Sequence, residues 1–283
     1  MGQGARPQIA MGPTSERLPV PRVLAAMLTA AIVSAGLLTA GALARGDAPP
    51  TKTKGVLTVA IELRNPGFAV GTLRNPRGFS VDVASALAKR MRLRLRFVNY
   101  PFGRLFVPGA KPYDVALEFA TITPHRARLV DFSSPEISSA QGVLVAKDVT
   151  GRVTLARLRK LQVCAKGVTT GFVYVRDVLR PAGLVFEYPT AAAALKALSI
   201  GICDALIFDL PALIVAKRTA PGRYGALPGR VGPTEHYGGV LPKGSPLLPA
   251  VNEAIESMRR DGTMRRLAAR HFGRALTSTP VIR

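Results

Sequence analysis

The chain has 283 residues, 48% of them hydrophobic, 20% charged and 6% aromatic, which is enough apolar material for one large domain or two modest ones and excludes a mainly disordered chain. Lys and Arg outnumber Asp and Glu by 39 to 17, a net charge of +22, yet the cations are scattered and no finger spacing, phosphate loop or RNA-binding signature accompanies them, so a basic solvated surface is preferred to nucleic-acid binding. Two cysteines exclude a disulfide-framework miniprotein, and three histidines cannot supply much of a metal site; no metal or cofactor is expected.

The first feature in chain order is Val23 to Ala44, 22 uncharged residues behind Arg6, Arg17 and Arg22, closing on the small-x-small pattern Ala42-Leu43-Ala44. This reads as a secretory signal peptide over residues 1–44, cleaved after Ala44, with a retained membrane anchor as the alternative because the run is long enough to cross a bilayer. Either route puts the rest of the chain outside the cytoplasm, in the periplasm or an equivalent space. In such an oxidising compartment Cys164 and Cys203 are expected to be bridged.

Gly55 to Ile61 reads as a buried opening strand, and Val81 to Arg92 as a helix with apolar residues on one stripe. Leu93 to Val98 alternates as a second strand, and Tyr113 to Leu117 is a third apolar run. Gly142 to Ala146 and Leu161 to Ala165 are further strands; Thr190 to Ile200 is an Ala/Leu helix, followed by a strand over Cys203 to Phe208. Val251 to His271 reads as two helices broken at Asp261-Gly262. Strand–helix–strand alternation predicts an α/β protein with mostly parallel sheets. Two such sets with Gly142–Ala146 between them suggest two lobes, the last helices returning to the first, and a ligand crevice beyond the carboxyl ends of the strands.

Three stretches carry candidate chemistry. In Thr121-Ile-Thr-Pro-His-Arg126 a Thr–Pro helix start places Arg126 one turn in, as a carboxylate clamp; pairing with Asp131 on the surface is the plainer alternative. Gly167-Val-Thr-Thr-Gly171 follows a strand and offers a Gly-rich turn with two hydroxyls, Thr169 and Thr170, to an anion. Asp209 ends an apolar strand, either aimed into the crevice or capping the helix that begins near Pro211. Together Arg126, the Thr169–Thr170 turn and Asp209 supply both halves of a site for a zwitterion.

The order of Gly55–Ile61, Gly78–Ala84, Tyr113-Asp-Val115, Thr121–Arg126, Val130-Asp-Phe-Ser133, Gly167–Thr170, Cys203-Asp-Ala205, Asp209, Tyr237–Gly244, Met258–Thr263 and His271-Phe-Gly273 resembles the bacterial extracellular solute-binding protein family 3, the polar amino-acid-binding components of ABC importers. The resemblance implies a two-lobed periplasmic-binding-protein type II fold with the ligand cleft between lobes: residues 45–139 and 235–273 forming the first lobe, 140–234 the second, and 274–283 a tail. It implies a non-enzymatic monomer that shuts on a small molecule, an amino acid, and presents it to a membrane permease. By position Arg126 and Thr121 would take the α-carboxylate with Thr169–Thr170, Asp209 the α-ammonium, and Phe102 would lie against the ligand. Glu62 falls where some members hold a basic side chain and Arg104 where others hold an acidic one, unless the two pair with each other. Glu118 and Phe119 stand where small residues are usual and are expected to fill or reshape the pocket. Two alternatives remain: an exported enzyme on this scaffold, a dehydratase of the cyclohexadienyl type with Glu118 or His125 as acid, and a membrane-retained sensor.

Overall fold

The structure, a computed structural model, describes residues 49–283. The segment Val23–Ala44 lies outside them, and among the described residues no helix is long and apolar enough to cross a membrane.

Strand β1 (Val56–Ile61) is buried along its whole length because it has a parallel neighbour on each side, β4 (Arg94–Asn99) and β5 (Val115–Thr121). Strand β4 is the sheet's edge and alternates accordingly, Leu95 and Phe97 packing inward while Arg94 and Arg96 face out. Between β1 and β4 come a small hairpin, β2 (Val70–Thr72) and β3 (Asn75–Arg77), and helix α1 (Phe79–Arg90), which buries Phe79, Val83, Ala84, Leu87 and Ala88. The glycine before α1 is required: Gly78 has φ 135, and a Cβ there would lie 2.2 Å from the Phe68 carbonyl oxygen.

A short helix, α2 (Pro124–Ala127), follows β5 and leads into β6 (Asp131–Val145), a strand of 15 residues. Next come α3 (Leu155–Leu158), β7 (Val163–Lys166), α4 (Thr170–Val173) with a π-helical turn behind it, β8 (Val185–Tyr188), α5 (Ala191–Ser199) and β9 (Ala205–Asp209), within the stretch expected to form the second lobe. Helix α6 (Leu210–Thr219) then leads to β10 (Gly229–Leu241), and α7 (Leu248–Arg260), α8 (Thr263–Phe272) and α9 (Ala275–Ser278) complete the chain. The strand order is β4-β1-β5-β10-β6-β9-β7-β8, with parallel pairs at both ends and the long antiparallel pair β6/β10 in the middle.

These two strands join the lobes, and their register slips three times, between Val231 and Glu235, Tyr237 and Gly238, and Gly238 and Val240. The irregularity falls where Pro135 faces Gly238, a place where the ladder loses a donor and a side chain. The sequence pattern shows only the last third of β6 and none of β10 as strand, because Ser133, Ser134, Ser138 and Ser139 interrupt one and glycines and Pro233 the other.

A continuous apolar core runs behind the strands from Leu57, Leu87 and Met258 through Phe272 and Leu213 to Phe208 and Leu195. Cys164 and Cys203 are buried and bridged, 39 residues apart, and both belong to the second lobe. Closing a loop of that size contributes about 4 kcal/mol in chain-entropy terms. After α9 the chain lies beside the start of β10: Arg230 donates its N–H to the Pro280 carbonyl and accepts from Ile282, while Leu155 donates to the Arg283 carbonyl. Ile282 is buried with Val145, Val163 and Ile207.

Glu136 of β6 is an exception in this interior. It is buried, neither carboxyl oxygen has a partner, and burial pushes its pKa up to about 8 from 4.5. The folded chain therefore holds a proton that the unfolded chain releases, and stability falls as pH rises from about 4.5 to about 8. Glu136→Gln should raise Tm at pH 8 by roughly 5 °C or more and change little at pH 5, read by calorimetry at both.

Candidate functional site

The carboxyl ends of β1, β5, β7 and β9 point toward the seam between the lobes, and β6 and β10 add residues from its floor. Arg126 arrives from the first lobe. Thr123 caps α2 by accepting from the Arg126 N–H at 3.2 Å, and Pro124 fits the first turn. The Arg126 side chain folds back: Nη1 donates to the Thr121 carbonyl at 3.1 Å and Nη2 to the Val168 carbonyl of the second lobe at 2.9 Å. Its guanidinium lies 5.3 Å from the Phe102 ring centroid and 4.5 Å from that of Phe106. Burial lowers its pKa, while Asp209, Glu235 and Tyr237 act in the opposite direction. Asp131, the alternative surface partner, is bound instead to Lys243 at 3.0 Å and to the Gly244 N–H.

The carbonyl that receives Arg126 belongs to an unusual residue. Val168 is exposed and has φ 61, a left-handed conformation that costs a β-branched residue on the order of 1–3 kcal/mol. Such strain persists where surrounding contacts hold it, here the Arg126 bond and the turn into α4.

Asp209 arrives from the second lobe. It precedes α6 yet makes no capping bond; its Oδ1 accepts from Gln141 Nε2 and from the Tyr237 hydroxyl, each at 3.2 Å. Burial, and next the charge of Glu235, push its pKa up to about 7. Thr121 and Thr170 approach within 3.3 Å of each other and both donate to Glu235 Oε2, at 2.9 and 3.0 Å. Thr169 lines the cavity, but its hydroxyl accepts from the Phe172 N–H and donates to the Lys166 carbonyl, so it also builds the turn.

At the other end Glu62 forms an ion pair with Lys166, the buried last residue of β7, and accepts from the Phe102 N–H at 3.2 Å. The Phe102 ring faces Lys166 Nζ at 4.8 Å, so it packs between two cations from opposite lobes. Glu62 thus pairs with Lys166 and not with Arg104, which is exposed on the 3₁₀ turn Phe102–Phe106 and is not gathered into the site. Glu118 is buried, both its oxygens lack partners, and burial followed by the Glu62 charge raises its pKa well above the carboxylate range. Phe119 takes φ 54 and turns into the core, its ring stacked 3.7 Å from that of Phe68. His125 is exposed beside Arg128. A cavity of about 410 Å³ with a mostly apolar surface opens over Arg126, Val168, Thr169 and Thr170, walled by Phe106, Thr123, His125 and Val173, a size suited to a small solute.

Lys166, Gln141, Glu235 and Tyr237 escaped the sequence reading. A lysine at the carboxyl end of a strand was a usable signal for the first. The other three lie on β6 and β10, where no periodicity marks a strand.

Two α/β lobes joined by a strand pair, with charged groups from both meeting in the seam, define a two-lobed solute-binding protein. The chain belongs to the bacterial extracellular solute-binding proteins, family 3, whose model it matches over residues 57–274. It is 30% identical over 231 residues to the L-cystine-binding protein TcyJ of Escherichia coli (strain K12), covering 80% of this chain and 86% of that one. It is 27% identical over 214 residues to ABC transporter arginine-binding protein 1 of the same organism, covering 73% and 86%. Among solved structures it resembles an ancestral amino acid-binding protein that is a precursor of cyclohexadienyl dehydratase, with a TM-score of 0.68, 26% identity, and coverage of 77% and 95%.

Proposed function

We propose that this protein captures an amino acid outside the cytoplasm by closure of its lobes, residues 45–139 with 235–273 against 140–234, and presents it as a monomer to an ABC importer. The observation that carries this reading is that Arg126 and Asp209 come from opposite lobes, are both buried at the seam, and lie close enough for the Asp209 charge to oppose the lowering of the Arg126 pKa by burial. A zwitterion engaging both stabilises the closed arrangement, since burying its two charges costs little only when each is paired. Its side chain would face Phe102 and the Glu62–Lys166 pair. Those charges neutralise each other and offer one acceptor and one donor, which suits a neutral polar side chain. Of the two acids a dehydratase could use, Glu118 is no part of the cavity wall, while His125 is exposed on it beside Arg126, and a turnover assay decides between receptor and enzyme.

Thermal-shift titration with L-arginine, L-cystine, L-histidine and L-glutamine tests the proposal. At least one should raise Tm by several degrees, and Asp209→Ala should remove that shift. No response to any amino acid, together with turnover of a cyclohexadienyl acid, would replace the receptor by an enzyme.

A further inference from the structure

Glu235 is partly buried on β10, within the stretch where the β6/β10 register breaks. Its Oε2 is the meeting point of three donors: Thr121 Oγ1 at 2.9 Å, Thr170 Oγ1 at 3.0 Å and Gln141 Nε2 at 3.0 Å. Thr121 stands at the end of β5 in the first lobe and Thr170 in the first turn of α4 in the second; Gln141 belongs to the crossing strand β6. Arg126 senses the Glu235 charge as well. The chain's own carboxylate is therefore surrounded by two hydroxyls, an amide and a nearby guanidinium, a donor set that matches a carboxylate in geometry and charge. Gln141 also links Glu235 to Asp209, so one amide spans both acids of the site.

We infer that Glu235 is an internal competitor for the ligand carboxylate and so sets which solutes this cleft holds well. The inference rests on the reading of Arg126, Thr121 and Thr170 as a carboxylate seat. An amino acid must displace a tethered carboxylate before its own can reach the two threonines, so its apparent affinity is lowered by the fraction of molecules in which Glu235 has left. A carboxamide presents no carboxylate, leaves Glu235 in place, still engages Asp209 through its ammonium, and escapes this penalty. Because Oε2 joins hydroxyls of both lobes, Glu235 also holds the seam together when no solute is supplied.

The test uses purified protein, Glu235→Gln and Glu235→Ala, titrated calorimetrically with L-arginine, L-glutamine, L-argininamide and L-glutaminamide, with solution scattering of each protein alone. Both variants should bind the free amino acids at least tenfold more tightly than the parent, bind the carboxamides about equally, and, for Glu235→Ala, show a larger radius of gyration without solute. Unchanged or weaker binding of the free acids by variants that keep the parental Tm overturns the inference and makes Glu235 a bystander or an ammonium acceptor. An increased radius with no amino acid bound by any of the three proteins keeps Glu235 as a bridge between lobes but overturns the amino-acid reading itself.

Discussion

Arg126→Ala should lose at least a hundredfold in affinity for whichever amino acid binds, and Arg126→Lys should recover little of it. The guanidinium has two donors already engaged, on the Thr121 and Val168 carbonyls, and its planar fork leaves further N–H groups for a solute. A lysine ammonium has three donors on one atom and cannot hold a carbonyl of each lobe while also meeting a carboxylate in the plane between Phe102 and Phe106. Removing one side of a buried, hydrogen-bonded charge pair costs about 3 kcal/mol or more, which is the hundredfold. Calorimetric titration, with the Tm of each variant measured alone, separates lost binding from lost folding. Retention of affinity within threefold by Arg126→Ala would show that the solute carboxylate lies elsewhere.

Lys166→Met should change the preferred solute. With the ammonium gone, Glu62 keeps only the Phe102 N–H as a donor, and its charge is left mostly buried and unpaired. Breaking a mostly buried pair in this way destabilises by about 3–5 kcal/mol, so the variant alone should melt well below the parent. A solute that brings its own cation restores the pair. The affinity ratio of L-arginine to L-glutamine should therefore rise by roughly a hundredfold, since a unit charge pair at contact distance is worth about 4 kcal/mol near a protein surface and part of it is offset by solvation. L-Arginine should also raise the Tm of the variant more than that of the parent. An unchanged ratio would mean that the Glu62–Lys166 pair does not face the solute.

The strands that carry Arg126 and Asp209 to the seam were legible because each is a short apolar run ending abruptly in polar residues, as a buried parallel strand must. The same rule fails for the crossing strands. β6 and β10 are polar and broken by Pro135, Pro233 and glycines where they bridge the lobes, so Gln141, Glu235 and Tyr237 had no periodicity to announce them. Phe119 shows another limit. By the resemblance it stands where small residues are usual, which suggested a ring in the pocket, but a single left-handed backbone turn sends that ring against Phe68 instead, and no side-chain pattern encodes such a turn at a bulky residue. Glu62 was singled out only through the family resemblance, with Arg104 as its possible partner; Lys166 was not foreseen, because pairing across the seam depends on how the lobes meet.

Three separate passages of chain tie the lobes: the two crossing strands, and the last residues, which leave α8 and finish with Ile282 embedded beneath β10 and Arg283 bonded to Leu155. A body held at two neighbouring points can swing and also twist about its tethers. The third passage is fastened along the second-lobe end of that same pair and to Leu155, which stiffens the pair against twist, so the jaws should travel along a single arc, like a door on its frame. Motion along that arc would widen or narrow the cavity that the half-buried Phe106 and the exposed Val173 share with Arg126.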